Sequence, residues 1–280
     1  MVDSTGSGDP AETTIRYLQQ GSAVLRGVLS PDWIARGREA VDRLIGDVSP
    51  LGYVQRQGEG DFVNDFWTWR RDEDIRALVF DSPLADIAAG MLGSREVRVF
   101  YDQLLVKEPG CRSETPWHQD VPYWPITGSQ ILSIWIPFDA ATPETGVVEY
   151  IAGSHLWGRM YAPQTFAKTD KGFDDIYAKS GMPPAPDFEK MRERFEIITW
   201  NVQPGDVIVH HGLALHHAPG NSRLDRTRRA LAIRYTGTDV RWDPRPATFI
   251  HQPKVAEYIK GLVPEAGAPL DAPLFPLCRS

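Results

Sequence analysis

Apolar residues recur with a helical period in the first third of the chain and switch to short runs and alternation after it. A helical segment is expected over 10–20 and a strand over 23–29. Ser30 then supplies an N-cap, with Pro31 at the first helical position, for a longer helix. Ile34, Val41, Leu44 and Ile45 share one face of it, so that face must be buried. Ser82-Pro83 repeats the start signal for a helix running to Met91. From Val97 onward short apolar runs alternate with Gly/Pro turns, with no internal repeat and no strand–helix–strand rhythm. The pattern predicts a mainly β protein with flanking α-helices, packed around a double-stranded β-helix (jelly-roll or cupin-like) core with its site in the mouth.

One segment breaks the pattern. Residues 162–194 are rich in Lys, Asp and Glu, carry Met-Pro-Pro-Ala-Pro at 182–186 and have few β-branched residues. An insertion of this length in a compact domain is either a lid or binding loop, or a solvated excursion. Residues 1–9 are polar and expected to be disordered. With 42% hydrophobic residues in 280, the whole chain reads as a single domain able to bury a substantial core.

Charge and cysteine content narrow the function classes. The formal net charge is −7 and no basic cluster occurs, which argues against a nucleic-acid partner. Cys111 and Cys278 are too few for a disulfide framework and are consistent with a reducing compartment. The first ten residues lack the basic and apolar regions of a signal peptide, and no apolar run is long enough to span a bilayer. A cytoplasmic location is therefore expected, with no membrane partner.

The chemistry is concentrated in two stretches. Residues 115–124 read Thr-Pro-Trp-His-Gln-Asp-Val-Pro-Tyr-Trp, and residues 210–217 read His-His-Gly-Leu-Ala-Leu-His-His. On an extended segment His118 and Asp120, two apart, point to one face, and an imidazole from a facing strand would complete a three-ligand cap on a metal. Two histidines and one carboxylate suit Fe(II) and leave positions open for a bidentate cosubstrate and dioxygen. The second stretch follows a turn and β-branched strand at 205–210 and precedes another strand at 228–235. Arg228, opening that strand, can face the same cavity, where a guanidinium fork suits a dicarboxylate. Both His216 and His217 lie within reach of the metal. Counting back from the turn at 219–221 selects His216, whereas counting back from Arg228 selects His217.

From about Tyr17 to about Pro246 the chain resembles the phytanoyl-CoA dioxygenase family of Fe(II)- and 2-oxoglutarate-dependent oxygenases. Three blocks carry the resemblance. They are 101–110 running into Trp117-His-Gln-Asp, then 134–139 with 143–146 and Tyr-Ile-Ala-Gly-Ser-His at 150–155, and finally 205–228. The resemblance implies His118, Asp120 and His216 as iron ligands and Arg228 as the partner of the distal 2-oxoglutarate carboxylate. It also implies Trp135 against the cosubstrate and Gln103 on a strand giving it polar contacts. His217 stands where many relatives have Gly, and Ala218 where several have a Ser that helps hold 2-oxoglutarate. The implied reaction is hydroxylation or a related oxidation of a C–H bond in a small-molecule substrate, using dioxygen and releasing succinate and CO2. An Asp at position 120 argues against halogenation, for which related enzymes keep a small residue there.

Trp117, Tyr123 and Trp124, next to the metal in sequence, are expected to shape the substrate pocket, with residues 64–69 as a second wall or simply core. His155 is expected to bond the turn 152–154, His210 and His211 to face opposite ways mid-strand, and His251 to sit on the surface. Arg229 is expected in salt bridges, and Arg234, sharing the face of Arg228, could line the cavity. Two other readings stand beside this one: a hydroxylase of protein side chains, and a metal-binding cupin-like protein without turnover.

Overall fold

The structure, a computed structural model, describes residues 10–166 and 175–280. The expectation for residues 1–9 lies outside them, as does part of the insertion. The helices are α1 (Pro10–Gln20), α2 (Pro31–Ile45), α3 (Glu73–Phe80) and α4 (Leu84–Leu92), followed near the C-terminus by Pro253–Ile259. Ser30 caps α2 as the sequence indicates, accepting from the Trp33 amide with Pro31 in the first turn. α3 was not legible as a helix; Asp72 caps it through the Asp74 and Ile75 amides.

The strands are β1 (Ser22–Leu25), β2 (Tyr53–Arg56), β3 (Asp61–Phe66), β4 (Val97–Lys107), β5 (Thr115–His118), β6 (Ile126–Thr127), β7 (Ile131–Pro137), β8 (Glu149–Ile151), β9 (Ile197–Thr199), β10 (Val207–His211), β11 (His216–Ala218), β12 (Arg228–Thr236), β13 (Arg241–Trp242) and β14 (Leu277–Arg279). β1 is shorter than expected: it ends at Leu25 because Gly27 turns the chain at φ +62°, and Asp206 takes the Arg26 side chain and the Gly27 amide. β2 and β3, absent from the sequence reading, form a hairpin.

A large antiparallel sheet runs β1-β10-β7-β12-β4-β3-β2, with β14 joined to β4, and faces a small sheet β5-β11-β8-β9. This is the expected mainly β jelly roll. Alternation along each strand divides the large sheet cleanly. Val209, Ile134, Ile233, Leu104 and Val63 point outward into the core shared with α2, α3 and α4. The opposite face looks into the mouth, and register sorts it into rows. The first holds His210, Ser133, Arg234 and Tyr101, and the second holds Ile208, Trp135, Ala232, Gln103 and Phe66. The row farthest from these holds Arg228, Lys107 and Phe62.

Candidate active site

The small sheet supplies the facing wall. His118 on β5 and His216 on β11 are direct antiparallel partners, and Tyr150 on β8 is the next residue in the same row. Residues opposite each other in an antiparallel pair share a face, so all three side chains enter the mouth. The rings of His118 and His216 lie 4.0 Å apart. Asp120 reaches them differently from expectation. The extended segment stops at His118, and Asp120 has φ −78° and ψ −44°, with its amide on the Gly212 carbonyl. A turn, not strand alternation, aims the carboxylate. Its Oδ1 is 3.5 Å from His118 Nε2 and 3.8 Å from His216 Nε2, and one ligand atom from each of the three residues lies within 4.8 Å of the others.

The tautomers follow from backbone carbonyls, which only accept. His118 Nδ1–H donates to Pro116 O at 2.8 Å and His216 Nδ1–H to Ala214 O at 2.9 Å, leaving both Nε2 lone pairs toward Asp120. Burial pushes the His216 pKa well below its usual value and keeps the imidazole neutral. Burial, the largest effect, would raise Asp120, but its charged and hydrogen-bonding surroundings, His210 and Arg234 among them, outweigh that and hold it well below the usual carboxylate range. Behind the carboxylate, Ser133 Oγ is 3.3 Å and His210 Nε2 3.4 Å from Oδ2, and Tyr150 Oη is 3.0 Å from His210 Nδ1. Sequence alternation put His210 and His211 on opposite faces without saying which enters the mouth; the register with β7 sets His210 beside Asp120.

A cavity of about 750 Å³ opens below these residues. Arg228, 2% exposed, donates one N–H to Leu105 O, has no partner for its Nε among the described residues, and stands 5.7 Å from the Trp135 ring. Most of its fork is free to take an acceptor. Burial lowers its pKa only to about 10, so it is cationic at neutral pH. Ala232, between Trp135 and Gln103, leaves the trough open between the histidines and the arginine. Gln103 lines the cavity and binds Arg234 and Asn64. Lys107, fully buried beside Arg228, props the turn after His216 by donating to Ala218 O and Pro219 O. Nothing in the sequence signalled that role.

Tyr123 and Trp124 line the cavity, but Trp117 does not. Next to a histidine that points inward, it turns to the opposite face, stacks on His217 and donates to Glu189. His217 Nδ1 lies 2.8 Å from Glu149 Oε1, and Arg192 clamps that carboxylate and reaches Glu189. The insertion is therefore tied to the strand that carries His216. Its other end also reaches the site: the Phe166 ring is 4.7 Å from that of His118, and Gln164 bonds Trp117 O and Tyr123 Oη.

Asn64, Phe66 and Trp67 form a second wall, while Trp69 belongs to the outer core. His155 bonds Leu18 O on α1, not its own turn, because the turn packs against that helix. Arg229 pairs with Asp42 and Asp139 outside the mouth. His251 is exposed, yet it lines the cavity rim with Phe249 and Gln252. These C-terminal residues lie beyond every stretch that the sequence singled out.

A jelly roll that presents this donor set over a trough ending in a free arginine fork defines the 2-oxoglutarate-dependent non-haem iron oxygenases, and the chain is an enzyme of that class. Residues 17–230 match the model of the phytanoyl-CoA dioxygenase (PhyH) family, to which the chain belongs. It is 27% identical over 243 residues, 82% of this chain and 79% of the relative, to a probable alpha-ketoglutarate-dependent hypophosphite dioxygenase of Stutzerimonas stutzeri. With the multifunctional dioxygenase prhA of Penicillium brasilianum it shares 24% over 82% of this chain and 72% of the relative. Its fold is similar to the crystal structure of the non-heme alpha-ketoglutarate-dependent carbocyclase SnoK from nogalamycin biosynthesis, with TM-score 0.71, 24% identity and 95% of each chain covered. It is also similar to EctD from S. alaskensis with 2-oxoglutarate and 5-hydroxyectoine, with TM-score 0.66, 22% identity and coverage of 89% and 84%.

Proposed function

We propose that His118, Asp120 and His216 hold Fe(II), that Arg228 pairs with the distal carboxylate of 2-oxoglutarate against Trp135, and that the enzyme oxidises a C–H bond of a small molecule. The observation that carries this reading is the convergence of two Nε2 lone pairs and one carboxylate oxygen at the head of a trough whose other end is an arginine with an unpartnered Nε. Imidazole with a hard carboxylate suits Fe(II), and an unfilled cationic fork suits a dicarboxylate. When bound, iron and 2-oxoglutarate supply a dioxygen-dependent oxidation that releases succinate and CO2.

The chain's own residues do the rest. Pro116 O and Ala214 O fix the two rings, and Ser133 and His210 hold Asp120 from behind. Gln103 faces the trough. Tyr123, Trp124 and Phe166 close the mouth around His118 and limit water. A cavity of about 750 Å³ has the size of a small-molecule site, and this supports a small substrate over a protein side chain. We read residues 1–280 as one oxygenase domain in which described residues of the insertion, Gln164, Phe166, Ile176 and Tyr177, border the site. Among the described residues no helix is long and apolar enough to cross a membrane, and Cys111 and Cys278 are unpaired. Free thiols support a cytoplasmic location.

The test is an anaerobic titration with Fe(II) and 2-oxoglutarate. One iron per chain and a weak visible charge-transfer band are expected, with slow succinate release in air. Intact protein that takes up iron without the band would overturn the reading.

A further inference from the structure

We infer that the substrate is a ring-containing small molecule bearing an anionic group, and that Arg234 takes that group. This inference rests on the proposed function and names the substrate class for the same cavity. Arg234 is 4% exposed and lines the cavity in the row that faces Asp120. Of its five N–H groups, one goes to Ala232 O at 3.1 Å and one to Gln103 Oε1 at 2.8 Å; its Nε is buried without a partner among the described residues. Asp120 Oδ2 is 4.0 Å away, too far for a hydrogen bond. A buried guanidinium with unused donors favours an acceptor that the described residues do not provide.

Charge around the cavity points the same way. The protein as a whole is acidic, yet among the described residues Asp120 is the one carboxylate lining the cavity, set against the buried Arg228 and Arg234 and the rim residue Lys254. Fe(II) and the 2-oxoglutarate dianion bring equal and opposite charges, so filling both sites leaves the positive excess in place. A substrate anion offsets one charge of that excess. Arg228 and Arg234 share a face of β12 six residues apart, roughly 20 Å of strand. Arg228 leans back over Trp135, whereas Arg234 stands at the other end, beside Asp120.

The apolar part of the substrate has its wall next to that end. The Arg234 guanidinium lies 4.6 Å from the Tyr101 ring centre, and Tyr101 is ringed by Phe249, Trp67 and Phe66 at 5.5, 5.9 and 6.2 Å between ring centres. All four rings line the cavity. Such a bowl stacks on flat or cyclic bodies by offset and edge contacts.

The experiment uses the full chain loaded with Fe(II) and 2-oxoglutarate without oxygen. It is titrated with benzoate, cinnamate and naphthalene-2-carboxylate, each paired with its neutral amide, and binding is read from tryptophan fluorescence and from movement of the charge-transfer band. At least one carboxylate should bind about tenfold or more tightly than its amide. Arg234→Gln should bring the two within about twofold, Arg234→Lys should keep part of the preference, and the 2-oxoglutarate titration should move less than about threefold in both variants. Equal binding of acid and amide by the wild type, no binding of any acid, or a preference that survives Arg234→Gln would overturn the inference. So would a large loss of 2-oxoglutarate binding in Arg234→Gln with the acid preference intact, which makes Arg234 a cosubstrate residue. Absence of the wild-type band is a separate outcome, and it defeats the proposed function itself.

Discussion

His217 turns its Nδ1 to within 2.8 Å of the Glu149 carboxylate, while its neighbour His216 packs its ring 4.0 Å from that of His118. Consecutive residues on β11 thus serve different partners, as alternation along a strand requires. His216→Ala should abolish stoichiometric iron binding. His217→Ala should keep iron and lose at most about 10–100-fold in metal affinity or activity, the range for a group that supports a ligand from behind. Iron content and succinate formation measured on both variants check this, and the reverse pattern would exchange the two roles.

Arg228→Ala should raise the 2-oxoglutarate KM at least about tenfold, since each charge-assisted hydrogen bond contributes about 1.5–3 kcal/mol. Iron affinity should stay near wild type. Arg229→Ala is the control, because Arg229 faces Asp42 and Asp139 outside the mouth. A larger effect at Arg229 would mean that the inward face of β12 has been taken one residue out of register.

Ala232 lies between Trp135 and Gln103 on the floor of the trough. Ala232→Leu should block 2-oxoglutarate, with the charge-transfer titration weakened at least about tenfold, while thermal stability changes little because the added carbons enter open cavity. Unaltered 2-oxoglutarate affinity would show that the cosubstrate lies elsewhere.

Glu149 should make stability depend on acid pH. Burial, the largest effect, would raise its pKa, but hydrogen bonds from Arg192 and His217 outweigh burial and bring it from 4.5 down to about 2. A carboxylate held below its ordinary value stabilises the fold fully above about 4.5, and the contribution fades as pH falls toward about 2. The melting-temperature gap between wild type and Glu149→Gln should therefore be constant above pH 5 and narrow below 4.5. Melting curves at pH 7, 5, 4 and 3 test this; a gap undiminished at pH 3 would rule out the linkage.

Gly37 sits in α2, where alanine is normally favoured by about 1 kcal/mol. A Cβ there would lie 2.1 Å from Phe138 Cε1, inside a ring that is fully buried. Overpacking of this kind costs about 1–3 kcal/mol, so Gly37→Ala should lower the melting temperature despite the better helix propensity. A rise would show that Phe138 has room to move.

Local rules made part of this protein legible in its sequence. Ser30-Pro31 marked the start of α2, the apolar period chose its buried face, and turns with β-branched runs marked β10 and β12. Those signals act over a few residues, where backbone sterics and capping decide the outcome. The candidate metal residues were also visible, because His118 and Asp120 are close in the chain and the histidine-rich stretch is compact. Tertiary structure decided what depends on two sheets facing each other. It turned Asp120 out of the strand and back toward the histidines, and it sent Trp117 away from the pocket while β3 and Phe249 closed the cavity. It also set Arg234 beside Asp120 rather than beside Arg228. Alternation reveals that a strand has two faces, but the packing of the opposite sheet and the far end of the chain determines which face is enclosed and what charge it meets there.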